Sequence, residues 1–323
     1  MQSPEPNKSY KDNVFTVIVS YNGLQWLKDC LDSVYSATTV VVVDNCSSDD
    51  TVNFIAKNYK DVILLPQQEN LGFGKGNNLG ISYALNHGAA HVLLLNQDAK
   101  MAKGSIPQLL DFLSNHTDYG IVSPVHCDWS GAYLEASFSN YMSYDSNKSF
   151  YSDAVLGKTL RAVYNVPFIA AACWFIPRKT FEVVGGFDPI FFHLGEDVNY
   201  AQRVRYHGYK IGVLPKAYVC HDTKYRVYEP VERYSKDYFY KFNYRNKIKY
   251  ADVNLSNWEV KLKYNKRQVL KTVLVALITL KFKAVFGALK EYRTYDELYT
   301  SSQLSRLKNQ EKGSHYLTSE MDV

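Results

Sequence analysis

The chain has 323 residues, 46% hydrophobic and 21% charged, with a formal net charge of +5. That is ordinary globular composition, enough for one large domain with or without an appendage. Five cysteines, odd in number and without a Cys-x-x-Cys pair, argue against a disulfide framework and against a zinc site.

Residues 1–13 are polar, carry two prolines and lack the apolar core of a signal peptide. They read as a flexible N-terminus on an intracellular protein, in which Asn-x-Ser/Thr triplets such as Asn115-His116-Thr117 carry no meaning. The 27 tyrosines and 16 phenylalanines suit a sugar-facing or membrane-facing surface as well as a core. Charge is unevenly spread. Residues 241–290 hold 12 Lys/Arg against Asp252 and Glu259, a net of +10, so the rest of the chain is net −5. A basic segment on an acidic body points to an anionic partner for that segment.

Residues 14–19 (VFTVIV) read as a buried strand. Ser20-Tyr21-Asn22-Gly23 is a turn, after which Leu24, Leu27, Leu31 and Val34 recur at helical spacing. Residues 40–43 are four valines, a second strand closed by Asp44. Asn45-Cys46-Ser47-Ser48-Asp49 supplies turn and capping residues before a helix from about residue 51. Residues 62–65 form a third strand. A Gly/Asn-rich loop over 70–78 leads into a helix to about His87. Residues 92–95 form a fourth strand, and Ser105-Ile106-Pro107 opens another helix. Short apolar strands alternating with helical patterns predict repeated βαβ units and a parallel sheet. Residues 126–165 read as an irregular polar insertion on the ligand side, and the rest of the sheet falls in 166–221. Past residue 234 the composition becomes Tyr/Lys/Asn-rich, then apolar with lysines, then polar from about 300.

In an open α/β sheet, ligands sit beyond the carboxyl ends of the strands. Asp44 there either caps the next helix or accepts hydrogen bonds from a nucleoside. The loop Asn70-Leu71-Gly72-Phe73-Gly74-Lys75-Gly76-Asn77-Asn78 fails the dinucleotide fingerprint, because Asn77 stands where a glycine is needed and the loop follows the third strand. Its glycines still allow a close backbone approach, and its asparagines and Lys75 offer donors. Asn96 and Asp98, two residues apart, present oxygens on one side of a strand end, a plausible Mg or Mn site beside a diphosphate. Glu196-Asp197 is either a pair of helix N-terminal charges or a proton acceptor behind the glycine- and aromatic-rich segment 185–195. His221 is either a metal ligand or a core histidine.

Together these residues resemble glycosyltransferase family 2, the inverting GT-A enzymes, and most nearly its rhamnosyltransferase-like branch. The resemblance is carried by Val19-Ser20-Tyr21-Asn22, Val43-Asp44-Asn45-Cys46-Ser47-Ser48-Asp49, Asn70-Leu71-Gly72-Phe73-Gly74 with Gly76-Asn77-Asn78, and Leu95-Asn96-Gln97-Asp98. Gly185-Gly186-Phe187-Asp188, Phe191-Phe192, Glu196-Asp197 and His221 complete it. For the branch it rests on Ala171-Ala172-Cys173-Trp174-Phe175-Ile176-Pro177-Arg178 and Tyr244-Arg245-Asn246. Asn96 departs from the family's Asp-x-Asp.

The resemblance implies a Rossmann-like, mostly parallel sheet flanked by helices, with a helical C-terminal extension. The resemblance covers about residues 14–222, and with the composition shifts it sets an expected catalytic domain over 14–234, a basic, apolar helical extension over 235–299 and a polar tail over 300–323. It implies that Asp44, Tyr21 and Asn22 bind the nucleotide. Asn70, Gly74 and Asn77 lie near the ribose and sugar, and Asn96 and Asp98 place the diphosphate and a Mn or Mg ion. Asp197 is the base, with Glu196 able to exchange roles with it, and His221 is a metal ligand. The expected function is metal-dependent, inverting transfer of a hexosyl or deoxyhexosyl group from a nucleotide-diphosphate sugar to a glycan or lipid-linked acceptor in surface polysaccharide synthesis. An inactive sugar-binding scaffold and a sugar nucleotidyltransferase are the alternatives.

Residues 269–289 are apolar but interrupted by Lys271, Lys281 and Lys283, too short a run to span a membrane. They read as an interfacial helix on an anionic membrane surface, or as a helix packed on the catalytic domain. The expected location is cytoplasmic, peripheral on the inner face of the cell membrane. No nucleic-acid partner is expected, because apolar residues break up the charges.

Overall fold

A computed structural model describes residues 10–224 and 230–318. Of the predicted N-terminal segment and polar tail, residues 1–9 and 319–323 lie outside the described residues.

The first half alternates strand and helix as the apolar runs require: β1 (Val14–Ser20), α1 (Leu24–Asp32), β2 (Thr39–Asp44), α2 (Thr51–Asn58), β3 (Ile63–Pro66), α3 (Gly72–Asn86) and β4 (His91–Leu95). β1 lies parallel to β2 and β4, and β3 parallel to β2. The valines of β2 are buried on both faces, which explains their unbroken run. Each contributes on the order of 1.5–3 kcal/mol of burial free energy.

β5 (Ala99–Met101), α4 (Ser105–Asn115), β6 (Tyr119–Cys127), α5 (Ala136–Tyr141), α6 (Lys148–Val155), β7 (Tyr164–Asn165), β8 (Cys173–Pro177), α7 (Arg178–Val184), α8 (Glu196–Tyr206) and β9 (Lys210–His221) follow. The sheet order is β3-β2-β1-β4-β8-β6-β9-β5, with β7 against β9. The sheet is mixed in its second half. β8 enters antiparallel between β4 and β6, and β5 is antiparallel to β9. This reversal brings the ends of β4, β5 and β9 to one edge of the crevice.

Three local readings differ from the sequence pattern. The segment at 70–78 is helical from Gly72, because Asn70 Oδ1 accepts the Gly72 N–H at 2.8 Å and each helical asparagine finds a partner. Gly76 and Gly80 let this helix lie directly on β1: a Cβ at Gly80 would come within 2.4 Å of Val17. The stretch 126–165 is ordered rather than irregular. It turns tightly at Asp128, whose carboxylate accepts from Ala132 N and Tyr133 N, and then forms α5 and α6.

The third difference is in the C-terminal extension, which forms α9 (Lys236–Tyr250), α10 (Trp258–Ile278) and α11 (Phe282–Gln310). The single helix expected at 269–289 is a hairpin. Lys281 N bonds to Ala276 O and Leu280 N to Leu277 O, a Schellman closure with Leu280 in the left-handed region at φ 54°. Residues 300–310 continue α11. The three helices share a small core of Tyr250, Trp258, Leu262, Val269, Ala288, Tyr295 and Leu298.

The extension is fastened to the catalytic body by buried polar contacts. Asp188 Oδ2 accepts from Ser305 Oγ and Asn309 Nδ2, both at 2.6 Å. Arg203, fully buried, donates to the carbonyls of Gly186 and Val184 and stacks against Tyr200 and Tyr316. Among the described residues no helix is long and apolar enough to cross a membrane.

Candidate functional site

The ends of β1 and β2 are laced together. Asp44 is buried, and its carboxylate accepts from Ser47 Oγ at 2.6 Å and Ser47 N at 2.9 Å. Asn22 N donates to Ser47 Oγ, and Asn22 Oδ1 accepts the Ser48 N–H at 2.8 Å. Tyr21 is held by its backbone to Gln97, which accepts from Tyr21 N and donates to Tyr21 O, leaving the ring half exposed. Tyr21, Asn22 and Asp44 are therefore one cluster, with Ser47 and Gln97 as its fasteners.

Asn45 ties this cluster to the next, donating to Gly72 O at 3.1 Å and accepting from Leu71 N. Asn70 caps its own helix. Asn77 is buried and donates to Phe73 O. Gly74 faces Phe187 and Glu196, and a Cβ there would lie a tight 3.1 Å from the Phe187 Cβ. Asn78 clamps the segment beneath: it donates to Phe187 O at 2.8 Å and accepts from Phe187 N at 2.7 Å. The helix start thus positions the segment that carries the acids.

Glu196 and Asp197 open α8 after Gly195, whose φ of 95° and contact with Ile248 require glycine. The helix N-terminus favours negative charge on both. Asp197 is half-buried, and its Oδ1 accepts from Val198 N. Glu196 is buried, and its Oε2 has no hydrogen-bond partner. Burial, reinforced by the charge of Asp197, pushes the Glu196 carboxyl up to about 7 from 4.5. The folded state thus binds this proton more tightly than the unfolded chain. The resulting stabilisation is complete below pH 4.5 and is lost as pH rises through 7. Its loss amounts to roughly 3 kcal/mol. Glu196→Gln should remove that pH dependence, which urea midpoints taken from pH 5 to 8 would measure.

The segment just before the acids lines a cavity of about 330 Å³. Phe191, Phe192 and Leu194 form one side, and Phe239, Tyr240 and Tyr244 of α9 the other. Tyr240 donates to His193 O at 2.8 Å and senses the charge of Glu196. A larger hollow of about 610 Å³ lies among Tyr206, Trp258 and Arg306. Neither hollow is lined by Asp44, Asp98, Glu196 or Asp197, and in the larger one Arg306 is committed to the carbonyls of Asp252 and Leu255.

The third cluster gathers Asp98 and His221, 123 residues apart. Strand pairing sets Ala99 opposite His221, and Asp222 N donates to Asp98 O at 2.9 Å. Asp98 Oδ1 then lies 3.4 Å from His221 Nε2. Asn96 is nearby in the chain, with its Oδ1 buried and without a hydrogen-bond partner. Behind His221 stand two residues that the sequence did not single out, His126 and Glu135. Glu135 Oε2 is 3.7 Å from His221 Nδ1 and 3.4 Å from His126 Nδ1, all buried. Burial works to raise the Glu135 pKa, but the two imidazoles outweigh it and hold the carboxyl well below the usual range. Burial lowers the His221 pKa, but Asp98 and Glu135 outweigh it and raise the group to about 9. The only signal for this pair was a turn between two polar residues nine apart.

The donor set suits a divalent cation. Asp98 Oδ1 and His221 Nε2 are too far apart for a charge-assisted hydrogen bond. They are spaced much as neighbouring ligands of one ion, roughly 3 Å apart. Asn96 Oδ1 adds an unpartnered oxygen.

The family model described as glycosyl transferase family 2 matches residues 16–185, just over half of the chain. The low-salt glycan biosynthesis hexosyltransferase Agl10 of Haloferax volcanii is 25% identical over 291 residues, covering 86% of this chain and 90% of that protein. The N-acetylglucosaminyl-diphospho-decaprenol L-rhamnosyltransferase of Mycobacterium tuberculosis is 28% identical over 232 residues, covering 64% and 74%. The structure of mannosyltransferase PcManGT from Pyrobaculum calidifontis, in complex with GDP-Man and Mn2+, superposes with a TM-score of 0.51. It is 19% identical and covers 94% of this chain and 88% of that one, a likeness of fold.

Proposed function

The chain belongs to glycosyl transferase family 2, and from that premise we propose that it is a metal-dependent, inverting hexosyl or deoxyhexosyl transferase. The observation that carries the reading is the Asp98–His221 contact at 3.4 Å. It sets a carboxylate and an imidazole at the strand ends, in the crevice where an α/β sheet binds its ligand. In this reading Asp44, Tyr21 and Asn22 receive the nucleotide. Asn70, Gly74 and Asn77 shape the wall beside the ribose and sugar. Asn96, Asp98 and His221 hold the cation, which when bound supplies positive charge against the departing diphosphate.

The acceptor hydroxyl enters from the aromatic cavity. Asp197 takes its proton as the oxygen attacks the anomeric carbon, the bond to the nucleoside diphosphate breaks, and one attack from the opposite face inverts the centre. A nucleotidyltransferase or an inactive scaffold has less support, because Asp44, Asp98 and Asp197 are all present and the segment after β1 is not a basic phosphate-binding loop. Incubation with a panel of nucleotide sugars, with and without Mn2+, tests the reading. Slow donor hydrolysis that needs the cation is expected. No turnover of any donor, with or without acceptor glycans, would count against it.

A glycan or lipid-linked acceptor at the inner face of the cell membrane fits the extension. The α10–α11 tip exposes Leu274, Val275, Ile278, Leu280, Phe282 and Phe286, with Ile278 and Leu280 at 73%. Residues 260–290 contain eight Lys/Arg and no acid. Two copies meeting at this tip would bring like charges together, whereas anionic lipid headgroups would neutralise them. The triple variant Ile278→Ser, Leu280→Gly, Phe282→Ser suits the left-handed backbone at 280 and should lower partition onto anionic vesicles at least tenfold in flotation. Equal flotation of both proteins would remove the tip as the membrane contact.

A further inference from the structure

We infer that Glu135 is a positioning residue for the cation site, its carboxylate facing His221 Nδ1 at 3.7 Å so that a proton is favoured there and Nε2 is presented beside Asp98. The inference rests on the functional reading above only for the cation's role, not for the geometry.

The two edges of the His221 ring face two carboxylates. Nε2 lies 3.4 Å from Asp98, on the partly open side, and Nδ1 lies 3.7 Å from the buried Glu135. A neutral imidazole has one N–H, and the partner of one nitrogen decides whether the other is a free donor to a metal. A carboxylate behind a metal-binding histidine fixes both its tautomer and its ring orientation. Glu135 can do this because its own backbone is pinned. Asp128 N bonds to Tyr133 O, Cys127 bridges Leu134, and Glu135 N donates to His126 O at 3.0 Å. The His126 ring continues the chain inward, with Nε2 3.0 Å from Ser123 Oγ and Ser123 Oγ 2.9 Å from Cys173 O. A line of polar groups therefore runs from the core, through Ser123, His126, Glu135 and His221, to Asp98 at the crevice.

A core filler has no need of this arrangement. A buried carboxylate is costly unless closely hydrogen-bonded. Here its shared oxygen stands at 3.4 and 3.7 Å from the two rings, longer than the contacts that stabilise best. At those distances its action on the His221 N–H is electrostatic rather than a formed hydrogen bond.

The test uses the full chain and Mn2+, alone and with inorganic pyrophosphate, with free Mn2+ read by electron paramagnetic resonance. Glu135→Ala should weaken Mn2+ binding about 10- to 100-fold, and Glu135→Gln, which keeps an acceptor oxygen, should recover part of it. Nitrogen-15 spectra taken above pH 9, where the His221 ring is neutral, should place its proton on Nδ1 in the native chain and show it redistributed in Glu135→Ala. If Glu135→Ala does not fold, Glu135→Gln carries both measurements. Mn2+ affinity within threefold of native in every folded variant, or an unchanged His221 tautomer, overturns the proposal. So does a tightly held metal in the chain as purified that is lost alike in Glu135→Gln and His126→Gln, since that places an ion inside the triad. Failure of every nucleotide sugar alongside these Mn2+ results would sink the functional reading and leave the positioning role standing. Active transfer with indifferent Mn2+ binding would do the reverse.

Discussion

Asp197→Asn is expected to lower sugar transfer about 10²- to 10⁴-fold, the usual contribution of a general base, while nucleotide binding stays within a few fold. The residue stands at the first turn of α8, three residues after Leu194, which lines the aromatic cavity. The amide keeps the shape and one oxygen but cannot take a proton. Glu196 provides the internal control. It is the more deeply buried of the two, its carboxyl pushed up to about 7 by burial and by Asp197. A group with that pKa is half protonated near neutrality, so it can orient a hydroxyl or serve as the base itself. Single-turnover rates for Asp197→Asn and Glu196→Gln separate the roles. Near-normal transfer by Asp197→Asn together with loss in Glu196→Gln would exchange them.

Asp98→Ala is expected to cut cation-dependent transfer at least 10²-fold and to raise the Mn2+ concentration needed for half-maximal rate. Asp98 is the one carboxylate among the three cation-site groups argued from the strand ends, since Asn96 is neutral and His221 supplies nitrogen. Losing it removes the main charge that attracts the ion. Glu135 stays buried behind His221 and cannot reach the same place without unpinning its backbone from His126. Full activity of Asp98→Ala in excess chelator would end the metal role.

The strand ends and helix start beside the acids at 44, 98 and 197 were legible because a change of hydrophobic period marks each of them. The lysine-broken run at 269–289 was likewise legible as helical and too short to span a membrane. Its shape was not. Leu280 takes a left-handed conformation that sequence assigns to glycine, so the hairpin closure had no local signal. The glycines at 72–80 were read as room for a ligand, yet Gly76 and Gly80 make room for β1 against α3. Local composition is the same in both cases; only the neighbour across space differs.

What the sequence determined by itself is the set of short-range facts: apolar runs for strands, caps and turns between them, and acids at their ends. The tertiary structure alone decided which of those ends meet. The antiparallel return of β8 and the β5–β9 pairing bring Asp98 to His221, and the Asp128 turn brings Glu135 behind it. Such pairings are long-range hydrogen-bonded registers. They depend on how far-separated segments stack into one sheet, and no window of adjacent residues contains that information.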